Sequence, residues 1–259
     1  MTLLLLLACK DREGDSALDA TQPWSLVITP MGQASSRAAA RTADWDGDGL
    51  QDLIEATQHG LLFYPGMQQP TLLTSASVQH FAVLDIDRDG HLDLVTADAE
   101  EARQLIWDAG SLAPTLLAQL PVPLRQLQAS DLDEDGRLDL LALGTDGRLV
   151  VLMNRAGGLE LVDTGLPETV EGASSFAKTA YGGAPALFIA GTEDRLYVGD
   201  GQGHFRGAPP DALPSTSSGS SLPAVVADFD QDGHLDLFIP TEGQDRLLLQ
   251  LDGLVDETA

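Results

Sequence analysis

Aspartate recurs at fixed spacing in four short segments of the form D-x-D-x-D-G-x-x-D, which begin at residues 44, 85, 131 and 228. Aspartates at alternate positions of a tight turn can direct three carboxylates at one point, and the glycine at position six permits the turn. Calcium takes six to eight oxygen ligands in an adaptable shell, whereas magnesium demands a strict octahedron and retains its waters. Clustered carboxylates repel one another unless a cation lies between them. The spacing therefore predicts about four Ca²⁺ ions, one in each acidic loop.

In each loop, the first, third, fifth and ninth residues would bind the ion through carboxylates, and the seventh through its backbone carbonyl. The predicted carboxylate ligands are Asp44, Asp46, Asp48 and Asp52; Asp85, Asp87, Asp89 and Asp93; Asp131, Asp133, Asp135 and Asp139; and Asp228, Asp230, Asp232 and Asp236. The predicted carbonyl ligands are Leu50, His91, Arg137 and His234. An EF-hand is the competing interpretation, but it needs Glu at position twelve between two helices, and only Glu55 meets that requirement.

The acidic loops mark a longer repeat. They are flanked by apolar runs of four to six residues bounded by Gly, Asp and Pro, which is typical of strands. The loop starts are 41, 46 and 97 residues apart, and the last interval is about twice the others, so it contains a fifth unit. Alignment without gaps to the unit at Asp228 places Lys178 at the first loop position, where we expect an exposed lysine; a contact with neighbouring acids is the alternative. Four short strands in each unit of 41 to 50 residues predict an all-β fold, a β-propeller of five four-stranded blades.

The two ends of the chain predict how the ring of blades closes. The last unit contains three strand-like runs before the chain ends, whereas a spare run, residues 25–29, precedes the first loop. If that N-terminal strand completes the last blade, two open sheet edges disappear. A larger propeller shared between chains is the alternative.

Loops of the form DxDxDGxxDL that follow an apolar strand and repeat at this interval resemble the FG-GAP/VCBS repeats of integrin-α-type propellers and of many bacterial surface proteins. The resemblance covers nearly the whole chain from residue 23 onward. It implies that each loop joins the first two strands of a blade and that calcium stabilises the turn. The unit at Lys178 lacks all four carboxylates, so we expect no calcium there.

The N-terminal sequence MTLLLLLAC resembles a bacterial lipoprotein signal, in which residues 6–9 form a lipobox and Cys9 is lipidated. The apolar run is short and no basic residue precedes it, so an incidental hydrophobic N-terminus is the alternative. We divide the chain into a lipoprotein-type signal (1–9), a flexible tether (10–22), the propeller (23–252) and a tail (253–259). The protein would then lie in the bacterial cell envelope, on the periplasmic or cell-surface side, and contact the membrane only through the lipid anchor.

Charge and motifs exclude several functions. Forty Asp and Glu against fourteen Lys and Arg give a net charge of -26, and so acidic a surface repels nucleic acid. Sixteen of the forty acids occupy the repeated aspartate positions of the four loops, which favours bound cations over general adaptation to salt. The five histidines lack the spacing of a zinc protease, and neither a G-x-S-x-G elbow nor a P-loop occurs. We therefore expect no catalytic residues.

These observations predict a non-enzymatic, calcium-stabilised propeller that acts as a monomer and mediates protein or glycan binding, or adhesion. One alternative is the propeller domain of a polysaccharide-active enzyme, a lyase or a hydrolase. Another is a scaffold without a ligand of its own. Trp45 and Trp107 are expected to pack inside the protein rather than to stack on a sugar.

Overall fold

The computed structural model describes residues 39–57, 59–108, 110–121, 123–214, 221–250 and 254–256. These ranges contain twenty strands and one short 3-10 turn, Pro65–Met67. The strands form five antiparallel sheets, each built from four consecutive strands. In order, the sheets contain β1 (Ala40–Ala43), β2 (Asp52–Thr57), β3 (Gly60–Tyr64) and β4 (Thr71–Thr74); β5 (His80–Leu84), β6 (Asp93–Ala97), β7 (Ala102–Asp108) and β8 (Ser111–Leu116); β9 (Leu124–Ser130), β10 (Asp139–Gly144), β11 (Leu149–Arg155) and β12 (Gly158–Leu161); β13 (Ala173–Tyr181), β14 (Ala184–Gly191), β15 (Arg195–Gly199) and β16 (Phe205–Gly207); and β17 (Val225–Ala227), β18 (Asp236–Ile239), β19 (Arg246–Gln250) and β20 (Leu254–Asp256). The predicted all-β fold with five four-stranded blades is confirmed.

The burial of each strand follows from its place in its sheet. The sequence of β10 is DLLALG, and every residue of this strand is buried. It pairs with β9 on one side and with β11 on the other, so that Leu140 lies opposite both Ala129 and Leu152. An outer strand such as β8 is mostly exposed and contains polar residues. Continuous apolar runs therefore mark the central strands, and mixed runs mark the outer ones.

Apolar side chains hold consecutive sheets together. The first strands of the sheets lie in succession, with β1 beside β5, β5 beside β9, β9 beside β13, and β13 beside β17. A buried apolar cluster fills each of the four gaps between consecutive sheets. The leucine that follows the ninth loop residue packs in these gaps, as Leu94, Leu140 and Leu237 do. Full burial of one such side chain stabilises the folded protein by roughly 1.5–3 kcal/mol. The apolar side chains between consecutive sheets therefore form the hydrophobic core.

The fifth sheet has one open face within the described part of the chain. Phe229, at the second loop position, is 45% exposed, whereas the equivalent Ile86 and Leu132 are buried in the gap before the following sheet. None of the four apolar clusters formed by the described residues joins the fifth sheet to the first. Closure of the ring across this gap stays a prediction.

The fourth strand of the fifth sheet comes from the C-terminal end. β20 pairs with β19, with Val255 opposite Leu249, and begins four residues after β19 ends. The expectation that this end supplies only three strands is wrong, and the predicted tail, 253–259, contains a strand. Pairing with a nearby segment costs less loop-closure entropy than pairing with one roughly 200 residues away. Residues 25–29, the predicted signal (1–9) and the predicted tether (10–22) lie outside the described residues.

The fourth sheet has a tight hairpin where the other sheets have an acidic loop. β13 continues through Lys178 to Tyr181, and Gly182 and Gly183, with φ of 58° and 78°, form the turn into β14. Two consecutive left-handed residues are typical of a type I′ hairpin, which glycine favours. Lys178 is half-buried, and its ammonium group donates a hydrogen bond to the backbone carbonyl of Asp131. The predicted exposed lysine at a loop position is wrong, because the ungapped alignment did not allow for longer strands.

A buried ion pair links the fourth and fifth sheets. Nη1 of Arg246 lies 3.0 Å from Oδ2 of Asp194, and both side chains are buried. The Ser221 hydroxyl donates to the same oxygen at 2.9 Å, and the Gly191 N–H donates to the other oxygen at 3.2 Å. A buried carboxylate is stable when several donors surround it, and the loss of one partner of such a pair is costly. These bonds therefore hold the turn after β14 against the start of β19.

Candidate metal centre

The four acidic loops occupy the same place in their sheets. Each loop joins the first strand to the second: β1 to β2, β5 to β6, β9 to β10, and β17 to β18. The flanking elements are strands, so the EF-hand interpretation is excluded. We number the loops one to four along the chain, and loop four therefore belongs to the fifth sheet.

The backbone of each loop turns through two residues with left-handed φ. Glycine at position six has φ between 84° and 92° in all four loops, a conformation that strains other residues. Its N–H donates to the first carboxylate, at 3.0 Å from Gly49 to Asp44 and at 3.1 Å from Gly90 to Asp85. Position four is also left-handed, and it is occupied by Gly47, Arg88, Glu134 and Gln231. The sequence did not reveal this second turn position, because three of the four residues are not glycine.

Carboxylates in every loop lie close enough to share one ion. In each loop, three ligand oxygens from three aspartates lie within 4.8 Å of one another. The groups are Asp44, Asp46 and Asp48; Asp85, Asp87 and Asp93; Asp131, Asp133 and Asp139; and Asp228, Asp230 and Asp236. Loops two to four therefore combine positions one, three and nine, whereas loop one combines positions one, three and five.

The ninth aspartate also has a structural role, which the spacing alone did not show. Asp93 is fully buried, and its two oxygens accept the backbone N–H groups of Ile86 and Trp107, both at 2.7 Å. Equivalent pairs of hydrogen bonds form at Asp52, Asp139 and Asp236. In loops two to four, the ninth carboxylate thus ties the loop to the third strand of its own sheet. In loop one, Asp52 ties the loop to the 3-10 turn that follows β3. Carboxylate oxygens have further lone pairs, which remain available to an ion.

The fifth aspartate shapes the loop backbone. Oδ1 of Asp89 accepts the N–H of His91 at 2.8 Å, and the same bond forms at Asp48, Asp135 and Asp232. In loops two to four this residue lies outside the carboxylate groups, so its contact with an ion stays a prediction. The backbone carbonyl ligands also stay a prediction: Leu50, His91, Arg137 and His234. The side chains of His91 and His234 are exposed.

The donors present fit a hard cation such as calcium. Oδ1 of Asp44 and Oδ1 of Asp133 are buried and accept no hydrogen bond from the described residues. A buried carboxylate oxygen without a donor is unfavourable, and a bound ion would satisfy it. Burial also raises the pKa of Asp93 and Asp139, although backbone N–H groups oppose the shift. All the ligand atoms in these groups are carboxylate oxygens, the donors that calcium prefers.

Asn154 connects loops two and three. Its side-chain amide donates to the backbone carbonyl of Asp85 at 2.8 Å, and the backbone carbonyl of Asn154 accepts from the guanidinium groups of Arg88 and Arg137, both at 3.0 Å. Several of these bonds cross between sheets, so spacing within one repeat carried no signal for them. Asn154 therefore holds the two neighbouring loops in register.

The aromatic residues pack, as predicted. The ring centroids of Trp45 and Trp107 lie 5.9 Å apart at an interplanar angle of 78°, and Phe63 lies 6.4 Å from Trp45. Edge contacts of this kind are a favourable geometry for aromatic pairs. Trp45 is the second residue of loop one, so the cluster anchors that loop to the second sheet.

The sheets and their loops define an all-β, propeller-like repeat protein. Residues 183–239, which run from the fourth sheet into the fifth, match the family model of an FG-GAP-like repeat. The chain contains an FG-GAP-like repeat, as the sequence resemblance predicted. A search of curated proteins finds no match.

Three solved structures share this fold at low sequence identity. A lectin from Agrocybe aegerita, specific for non-reducing terminal N-acetylglucosamine, aligns with a TM-score of 0.59 and 14% identity over 87% of this chain and 66% of its own. The V. cholerae biofilm matrix protein Bap1 aligns with a TM-score of 0.51 and 17% identity over 88% of this chain and 40% of its own. BBS1N, solved in complex with ARL6DN, aligns with a TM-score of 0.55 and 12% identity over 83% of this chain and 66% of its own. The chain thus spans less than two thirds of each of these structures.

Proposed function

We propose that this protein is a non-catalytic, calcium-stabilised propeller that binds a glycan or a protein at the cell envelope. The observation that carries the calcium part is the recurrence of one carboxylate group at the same strand connection of four sheets. Chance clustering of surface acids would not place the groups in phase with the fold. The buried, unpartnered oxygens of Asp44 and Asp133 support the same assignment.

The ions would have a structural role. Each group collects three carboxylates, whose mutual repulsion opposes folding unless a cation offsets it. In loops two to four the ninth carboxylate also ties the loop to the third strand, so an ion held there would stabilise that whole end of the sheet. These carboxylates are occupied in holding the ion and the backbone, which leaves no free acid–base pair among them. This supports a scaffold rather than an enzyme.

A binding role is supported by the fold of the structural relatives. The Agrocybe aegerita protein is a lectin, and Bap1 is a component of a biofilm matrix. Both share the propeller-like arrangement of sheets. The descriptions of these relatives support a glycan or a protein as the ligand class.

The envelope location rests on the N-terminal sequence. Residues 3–7 are leucine, and Ala8 and Cys9 complete the lipobox-like segment, which lies outside the described residues. Among the residues that the structure describes, no helix has the length and apolar character needed to cross a bilayer. A lipid at Cys9 would supply the membrane contact. When the full chain is expressed in bacteria, wild type should sediment with membranes and Cys9→Ser should not; equal sedimentation would contradict the anchor.

Ligand binding can be tested on a glycan array. The purified protein, in saturating calcium, should bind a restricted set of immobilised glycans, and chelation should abolish that binding because the scaffold loosens. Incubation of the protein with soluble polysaccharides of the bound type should release no new chain ends. Release of chain ends would favour the polysaccharide-active enzyme instead, and binding that is unaffected by chelation would contradict the calcium-dependent scaffold.

A further inference from the structure

Arginine side chains converge on loop three. Arg155, the last residue of β11, places Nη1 2.7 Å from Oδ2 of Asp133 and 3.7 Å from Oδ2 of Asp135. Arg137, the seventh residue of the loop, forms a close ion pair with Asp135. The third and fifth carboxylates of this loop are therefore partly neutralised by the protein itself.

The other loops have no such partners. Across the described ranges, no Lys or Arg side chain forms an ion pair with a carboxylate of loops one, two or four. Arg155 directly follows Asn154, whose N–H binds the ninth aspartate of loop three. The residue that follows the equivalent N–H donor is Asp108 in the second sheet and Met67 in the first. Arg88 lies in loop two, but its guanidinium donates to the Asn154 carbonyl and forms no ion pair with a loop carboxylate. Among the described residues, ion pairing with the loop carboxylates is thus specific to loop three.

Asp133 keeps one oxygen for an ion although it pairs with Arg155. The residue is only 5% exposed, and its Oδ1 has no hydrogen-bond donor among the described residues. It forms the three-carboxylate group of loop three together with Asp131 and Asp139. The geometry therefore allows an ion at Oδ1 while Arg155 holds Oδ2. A guanidinium charge so close to the group repels a divalent ion, and nearby solvent weakens that repulsion without removing it.

We propose that Arg155 makes loop three the weakest of the four calcium sites. The inference rests on the proposed function, because it ranks sites that the proposal assigns to calcium. Among the described residues, no Lys or Arg side chain forms an ion pair with the carboxylates of loops one, two and four, whereas loop three must bind its ion against the charge of Arg155. As free calcium rises, the other three sites fill first.

Equilibrium dialysis of the full-length protein against graded calcium buffers measures this directly. Wild type should hold about three ions per chain over a roughly tenfold range of free calcium, and take up the last ion only above it. Arg155→Gln should bind that ion at roughly tenfold lower free calcium. Arg155→Lys keeps the charge and should keep the weak site. Arg103→Gln is the matched control, because it removes the same charge from an exposed pair with Glu101, at the far end of the second sheet from loop two.

The outcomes separate the two proposals. The gain in Arg155→Gln should vanish when Asp131→Asn is added, which assigns the gain to loop three. An unchanged weak site in Arg155→Gln, or an equal shift at every site, overturns this inference and leaves the proposed function intact. Absence of bound calcium in both proteins overturns the proposed function. Circular dichroism in saturating calcium checks that each variant is folded, and Arg155→Met replaces the Gln variant if the latter does not fold.

Discussion

Removal of calcium with a chelator is expected to lower the melting temperature of this protein by roughly 20–40 °C. An ion that binds only the folded state contributes about 2.7 kcal/mol at a hundredfold excess over its Kd. Four sites together contribute about 10 kcal/mol, and each kcal/mol shifts the melting temperature of a chain of this size by about 2–4 °C. Differential scanning calorimetry with calcium, and after exchange into chelator, measures the shift.

Magnesium provides the control for this chelation experiment. It demands near-ideal octahedral geometry and dehydrates reluctantly, whereas the loop groups offer a flexible set of carboxylates. Restored calcium should therefore recover the melting temperature, and an equal concentration of magnesium should recover only a small part of it. A melting curve that does not change on chelation would contradict the structural role of calcium.

The loops and their flanking strands were predictable because their determinants are local. All the predicted ligands of one loop lie within nine residues, and the apolar runs beside them indicate strands without reference to the rest of the chain. The fourth sheet shows how local pattern can mislead. Its Gly182-Gly183 turn replaces the loop after longer strands, so an alignment without gaps assigned Lys178 to a position that does not exist there.

Contacts between sheets were not predictable from the repeat. Asn154 reaches loop two in the neighbouring sheet because β11 ends beside that loop, and no pattern within one unit indicates which residue lies there. Arg155 reaches loop three of its own sheet from the same strand end. β20 was missed for a different reason. Its three residues, Leu254–Asp256, form too short a run to be read as a strand, and its pairing depends on the open edge of β19.

The ninth aspartate has the largest expected effect of any single substitution in the loops. We expect Asp93→Ala to lower the free energy of unfolding by about 3–5 kcal/mol even in chelator, because the buried N–H groups of Ile86 and Trp107 lose their acceptor. Each buried donor left without a partner costs about 1–3 kcal/mol, and the lost side chain leaves space in the core. Urea unfolding of the chelated proteins measures the change.

Asp87→Ala is the matched control, because Asp87 belongs to the same carboxylate group but is exposed. It should change the free energy of unfolding in chelator by less than about 0.5 kcal/mol, as surface substitutions usually do. In calcium, both variants should lose about 2.7 kcal/mol of ion-linked stability, because each removes a ligand of the second site. Asp93→Ala would then be the less stable variant in both conditions. If the two variants were equally stable in chelator, the ninth carboxylate would act only as a metal ligand, and its bonds to the third strand would carry no weight in the fold.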